Sequence, residues 1–279
     1  MVKGAVAAFP VFAFLGLRFG LAFLALLPLW VAVRRGRPTG DWHQGSRGER
    51  WGRGALIGVF LFAGYAFQTA GLQYTTASKA GFITGLSVVL VPLFSAVLLR
   101  RPPKPWALAG VVLATVGMSL LSWEGDWHVG LGEALVLGCA VSFAAHITAV
   151  GAFAPGGDVL HLTMTQIATV GVLSGGVAAF LERPEGLPTL PVWGAAAFTG
   201  VLATSLAFGL QTAAQRFTNP THTALIFAAE PVFAAVFGFL LAGERLGPRE
   251  TLGCGLILLG MLTAELAPLL ARRGWQLNA

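Results

Sequence analysis

The chain is 279 residues long, 56% hydrophobic and only 11% charged, with a mean hydropathy of +0.75. A soluble domain carries roughly 25% charged residues, and one core could not hide this much apolar surface. A water-soluble globular protein is thereby excluded, and a polytopic all-α membrane protein is expected. The net charge of +6 and pI near 10.1 do not point to nucleic acid, because the basic residues sit in short loops between apolar runs.

Apolar runs between charged, Pro and Gly breaks predict spans at Val11–Val33, Gly52–Tyr74, Lys79–Leu99, Pro105–Leu121, Gly130–Phe153, Val159–Leu181, Val192–Ala213, Thr221–Leu241 and Glu250–Leu270. The residues before Phe9 hold no basic region followed by a small-residue cleavage site, so the helices themselves are expected to direct insertion. Small-residue stretches such as Gly171–Gly176 and Gly253–Gly260 predict close backbone approach in a tight bundle. Cys139 and Cys254 lie in separate apolar helices and read as packing groups rather than a redox or metal pair.

Loop charge sets an orientation. Arg34, Arg35, Arg37, Arg47, Arg50, Arg53, Arg100, Arg101, Lys104, Arg216, Arg272 and Arg273 fall on one side, against Lys79, Arg183, Arg245 and Arg249 on the other, a bias of about twelve to four. The richer side is assigned to the cytoplasm, with the C-terminus. Glu124, Asp126, Glu182, Glu185, Glu244 and Glu250 accompany the poorer side. Trp30, Trp51, Trp106, Trp123, Trp127 and Trp193 fall at predicted interfaces and read as an aromatic belt.

Shifting the sequence by 143 positions aligns Gln68-Thr69-Ala70 with Gln211-Thr212-Ala213, Thr75 with Thr218, Ile83 with Ile226, Phe94 with Phe237, Pro105 with Pro248, Gly110 with Gly253 and Gly117-Met118 with Gly260-Met261. An odd number of spans separates the copies, so they must be inverted, which is a transporter signature. The bland reading is a duplicated structural or enzymatic bundle. Extending the repeat backwards with a shift near 148 sets Arg18 against Gln166 and Val11–Val33 against Val159–Leu181. The partner of Gly130–Phe153 would then precede Met1, leaving only the stub Val2–Phe9 with Lys3. The expectation is nine spans here, from a ten-span parent whose first helix is missing through a late start or an incomplete sequence.

The second copy carries Ala229-Glu230-Pro231-Val232-Phe233, then Leu241-Ala242-Gly243-Glu244-Arg245-Leu246 and the glycines of Gly253–Gly260. The first carries Leu17-Arg18-Phe19, Thr75-Thr76-Ala77-Ser78-Lys79-Ala80-Gly81-Phe82 and Val91-Pro92-Leu93. Over essentially the whole chain these stretches resemble the ten-helix drug/metabolite transporters built from two EamA domains. The tryptophan-glycine opening usual in the first helix of that family is absent. The resemblance implies two inverted EamA repeats at 1–123 and 130–270, with a basic tail at 271–279. It implies an inner-membrane carrier, often an exporter of amino acids or other small metabolites, whose central cavity opens alternately to each side; it names no substrate.

A charge at a helix centre costs roughly 2.5–3.5 kcal/mol on insertion scales, so polar groups in spans should face a cavity or a partner. Glu230 is the first candidate for substrate or proton binding: it precedes Pro231, whose missing N–H and ring clash should kink the helix and free carbonyls. Burial of Glu230 is expected, with Arg18 or nearby backbone as the alternative, structural, partner. His146 shares a helix face with Ser142 and Cys139 and is the second coupling candidate, the alternative being an interhelical hydrogen-bond partner.

The repeat-related Gln68 and Gln211 are expected to line a cavity, with Tyr65 and Leu72 on one face and Thr204 and Phe208 on the other. Gln166 with Thr163, and Thr84 with Ser87, offer further hydrogen bonds, or act as helix-to-helix glue. Arg18, Lys79, Pro92 and Pro231 read as structural or gating groups. Lys79 is expected to snorkel, and Arg18 to pair with a carboxylate or a carbonyl cluster.

No phosphate loop, H-E-x-x-H, G-x-S-x-G or intraspan carboxylate pair occurs. Catalytic residues, metal and cofactor are therefore not expected, nor is an ATP-driven pump. The expected partners are the bilayer, a small-molecule substrate with protons as candidate coupling ion, and a second copy in a homodimer. The reading is a gradient-driven metabolite transporter of the plasma membrane. Its rivals are a lipid flippase and an intramembrane enzyme or sensor in which Glu230 and His146 act as an acid–base pair on a lipid.

Overall fold

The computed structural model describes residues 9–35, 46–122, 130–182, 186–242 and 247–276. Most of the N-terminal stub with Lys3, then Arg37, Trp123, Glu124, Asp126, Trp127, Arg183, Glu185, the segment Gly243–Leu246 and the last three residues of the tail lie outside them.

Every described element is helical: α1 Val11–Arg35, α2 Arg47–Gly71, α3 Ala77–Gly85, α4 Ser87–Leu98, α5 Pro105–Ser122, α6 Leu131–Phe153, α7 Val159–Leu181, α8 Leu190–Gly200, a π-helix Val201–Leu206, α9 Ala207–Ala214, α10 Pro220–Phe227, α11 Glu230–Ala242 and α12 Pro248–Gln276. In hydrocarbon each backbone polar group must be satisfied within its own segment, which leaves the helix as the economical solution. Among the described residues, eight helical stretches are long and apolar enough to cross a bilayer, and Pro105–Leu121 is a shorter apolar helix beside them.

Helix starts follow from local chemistry. Ser46 and Glu49 form a reciprocal capping box ahead of α2, with Ser46 N–H donating to Glu49 Oε2 at 3.0 Å and Glu49 N–H to Ser46 Oγ at 3.3 Å. Asp158 caps α7 by accepting from His161 N–H at 3.1 Å. Thr76 and Asn219, which correspond under the 143-position shift, cap α3 and α10 in the same way, accepting from Lys79 N–H at 3.2 Å and from His222 N–H at 3.0 Å. The first turn of α1 is capped from a distance: Phe12 and Ala13 N–H donate to the two carboxylate oxygens of Glu182 at 2.9 and 2.8 Å.

The chain divides into two compact units, each drawing helices from both sequence copies. The first comprises residues 1–66 and 149–217. In it α1 runs antiparallel to its repeat partner α7: a Cβ built at Gly16 would lie 3.3 Å from Gly175 N, and one at Gly171 3.6 Å from Gly20 N. Phe14, Val192, Ala195 and Ala196 form one buried cluster here, and Ile57, Val150, Ala154 and Leu162 another.

The second unit comprises residues 67–148 and 218–279. Its centre is the contact of α5 with α12, the last helix of each copy. A Cβ at Gly110 would lie 2.5 Å from Gly260 O and one at Gly260 2.6 Å from Gly110 O, while Gly117 and Gly253 stand 2.5 and 2.7 Å from each other's carbonyl in the same sense. Gly110 corresponds to Gly253 and Gly117 to Gly260, so the contact maps onto itself when the copies are exchanged, and the helices run antiparallel. The two copies are inverted.

Two predicted spans are divided. Lys79–Leu99 is seen as α3 and α4, and Thr221–Leu241 as α10 and α11. Val192–Ala213 is continuous but passes through the π-helix between α8 and α9.

Candidate functional site

The two divided helices break at the same place. Leu86 maps onto Ala229 under the repeat, and the hydrogen-bond ladder changes identically: Val89 and Leu90 N–H both donate to Leu86 O at 2.9 and 3.1 Å, as Val232 and Phe233 N–H both donate to Ala229 O at 3.0 and 3.1 Å. The second copy breaks because Pro231 has no N–H to return to Phe227 and its ring crowds that carbonyl. The first has Val88 at that position and breaks nonetheless, six residues before Pro92. Half-helices α4 and α10 pack together around Val88, Val91, Ala224, Leu225 and Ala228, with Ala144 and Ile147 of α6 against them.

The first residues of the second half-helices are Ser87 and Glu230, which correspond under the repeat. Contrary to the burial that its place in an apolar span predicts, the Glu230 side chain is exposed, as the first residue of α11. Its place at a helix start explains this, since the break turns the carboxylate out of the helix stack, where its negative charge is favoured by the helix dipole. Pro231 is half-buried and Pro92 buried. His146 is 2% exposed, Cys139 0% and Ser142 8%, so the polar stripe on α6 faces inwards. Ser142 is held by its own helix, donating to Gly138 O at 2.8 Å.

Gln68, Thr84 and Cys139 come together: Gln68 Nε2 reaches Thr84 Oγ1 at 3.5 Å, and that hydroxyl lies 3.7 Å from Cys139 Sγ. Lys79 is half-buried in the first turn of α3.

The first unit holds the remaining candidates. Arg18 Nε donates to Thr204 Oγ1 at 2.8 Å and its guanidinium to Ala203 O at 3.2 Å, which realises the carbonyl pairing rather than a carboxylate pairing. The guanidinium carbon stands 5.7 Å from the rings of both Tyr65 and Phe19, and those two rings meet edge to face at 5.6 Å. Thr204 belongs to the π-helix, where its hydroxyl donates to Thr199 O at 3.0 Å and Ser205 donates to Gly200 O at 3.0 Å and to Ala22 O at 2.9 Å. The bonds to Thr199 O and Gly200 O reach five residues back, as the wide turn does, and the bond to Ala22 O ties it to α1. The corresponding residues of α2 are Leu61 and Phe62, without hydroxyls, and α2 is regular there.

Gln166 is fully buried and donates to Thr212 Oγ1 at 3.2 Å. Gln211, 6% exposed, donates to Gln215 Oε1 at 3.1 Å one turn on and so makes an intrahelical bond. Gln68 and Gln211 belong to different units. Sequence reasoning missed Glu182 as a cap, Ser87 as the counterpart of Glu230, and Ser205. The 143-position shift already pairs Ser87 with Glu230, whereas nothing local marks Glu182 or Ser205.

Among the described residues no cluster of His, Cys, Asp and Glu could hold a metal ion. The inverted copies and the apolar helices long enough to cross a bilayer define a helical membrane bundle. The EamA-like transporter family matches residues 1–123 and 130–264, and the chain belongs to that family. An uncharacterized transporter of Archaeoglobus fulgidus is 32% identical over 266 residues, which cover 95% of this chain and 80% of that one. Bacillus subtilis YwfM, also named an uncharacterized transporter, is 26% identical over 224 residues, 75% of this chain and 73% of its own. A solved crystal structure shares the fold with a TM-score of 0.79 at 20% identity, covering 94% of this chain and 91% of that one. This is a multi-pass membrane transporter of the drug/metabolite type.

Proposed function

We propose that the chain exports small metabolites, such as amino acids or drugs, across the cell's inner membrane by alternating access, driven by an ion or substrate gradient with protons as the candidate coupling ion, and with its C-terminus in the cytoplasm. The observation that carries this reading is the matched break at Leu86 and Ala229. Helix irregularities at matched positions in inverted copies offer two related places to bend at mid-span, which a carrier needs and a static bundle does not. Glu230 and His146 are the coupling candidates, Glu230 through exposure at a half-helix start and His146 as a buried imidazole.

The test starts with thermal shifts of the purified protein against amino acids, purines, sugars and cationic drugs. Compounds that stabilise it then enter proteoliposome flux assays. Glu230→Gln is expected to abolish dependence on a pH gradient while leaving counterflow partly intact. Unchanged coupling would remove Glu230 from the role, and scrambling of labelled lipid without flux of any soluble compound would favour a flippase.

A further inference from the structure

The first unit encloses a second polar feature that the broken helices do not use. A cavity of about 590 Å³ opens at the end where α1 and α9 finish and α2 and α7 begin, the end that loop charge assigns to the cytoplasm. Its charged lining is three guanidiniums, Arg50, Arg53 and Arg216, against one carboxylate, Asp158, and that carboxylate already caps α7 through His161 N–H at 3.1 Å.

Arg53 and Arg216 find only aromatic rings: Arg53 stands 5.7 Å from the Phe153 ring and Arg216 5.8 Å from Phe217, with no ion pair to a described carboxylate. Thr163 also lines the cavity, is 1% exposed, and its hydroxyl has no hydrogen-bond partner. Leucines of α1 and of the stretch from the π-helix into α9, Leu29, Leu206 and Leu210 among them more than half exposed, make the rest of the lining apolar.

We propose that this cavity binds an organic phosphate with an apolar body, its anionic head between Arg53 and Arg216 and its body against the leucine walls. Guanidinium forks match phosphate oxygens bidentately. A basic cavity between spans on the cytoplasmic side also suits an anionic lipid headgroup. A lipid phosphate and a soluble phosphate ester share this chemistry, and binding at the first unit does not require that the chain transport anything.

The experiment measures binding to the full chain in neutral detergent by native mass spectrometry and thermal shift, with phosphatidylglycerol, phosphatidylcholine, phenyl phosphate and inorganic phosphate as probes. Phosphatidylglycerol binding above phosphatidylcholine identifies the lipid source, and phenyl phosphate binding without lipid preference identifies the soluble one; either supports the site. Arg53→Gln with Arg216→Gln should weaken the bound probe at least about tenfold, while Arg100→Gln with Arg101→Gln should leave it unchanged.

Should the double arginine variant fold poorly, Gly209→Leu serves instead. Gly209 lines the cavity and its Cβ position meets nothing within 4 Å, so the added side chain fills the apolar part and should exclude the probe. The proposal is overturned by full binding in both cavity variants, by an equal loss in the Arg100/Arg101 control, or by inorganic phosphate binding as tightly as phenyl phosphate.

Discussion

Adding one methyl group at Gly117 tests the central contact of the second unit. A Cβ there would lie 2.5 Å from Gly253 O, 2.8 Å from Ile257 Cγ1 and 2.9 Å from Ile257 N. Ordinary contact begins at 3.4 Å, so the first of these is about 0.9 Å too short, and two of the three atoms are backbone that no rotamer change can move. The helices must separate locally by about that amount, and a radial gap of 0.5–1 Å forfeits a quarter to a half of each dispersion well along the seam. Overpacking of this kind costs about 1–3 kcal/mol.

Gly255, on α12, meets nothing within 4 Å, so Gly255→Ala should be neutral or stabilise by about 0.5–1 kcal/mol through helix propensity. The measurement is reversible unfolding in mixed micelles followed by tryptophan fluorescence. Gly117→Ala and Gly253→Ala should each destabilise, and the double variant should cost less than their sum because both relieve one contact. Equal stability of Gly117→Ala and Gly255→Ala would refute the close antiparallel packing of α5 on α12.

Three further outcomes are expected. Glu182→Gln removes the charge from two bonds to the α1 start, worth about 1–2 kcal/mol together, and should speed hydrogen exchange at Phe12 and Ala13; unchanged protection there would disprove the cap. Arg18→Lys replaces a fork with a point charge that cannot hold both Thr204 and Ala203, so amides of Val201–Leu206 should exchange faster, and unaltered exchange would show that the π-helix stands without it. For orientation, an impermeant maleimide applied to intact cells should label Gly186→Cys, and Ser46→Cys only after permeabilisation; the reverse pattern would invert the assigned topology.

Most spans were legible because their ends carry chemistry that can be read locally. Val159–Leu181 is found as expected since Asp158 stops one side and the acidic Glu182 the other. The repeat was legible as well, and its inversion is visible in the reciprocal glycine contacts.

The broken helices were only half legible. Pro231 announces one break, but Gly85-Leu86-Ser87 holds no proline, and that break has no local stop signal. Exposure was the least legible property. Glu230 and His146 both read as polar groups in apolar spans, yet one sits at a half-helix start and is exposed while the other is 2% exposed, a distinction made by tertiary packing. Gln211 bonding to Gln215 shows the same limit: side chains four apart on one helix can satisfy each other, so a polar face need not mean a cavity.

At this break duplication has preserved backbone geometry while side-chain chemistry diverged: it carries Ser87 in one copy and Glu230 in the other. If the break only positions whatever group begins the second half-helix, the carboxylate should work from either copy. Glu230→Ser should abolish pH-gradient-driven flux, and adding Ser87→Glu should restore part of it, because the new carboxylate begins a half-helix of matching ladder and dipole. Recovery is expected to be incomplete, since α4 continues with Val88 where α11 has Pro231, and an extra N–H then competes for the same carbonyls. A double variant as inactive as Glu230→Ser alone would show that the surroundings of α11, rather than the shared break, make Glu230 the coupling group.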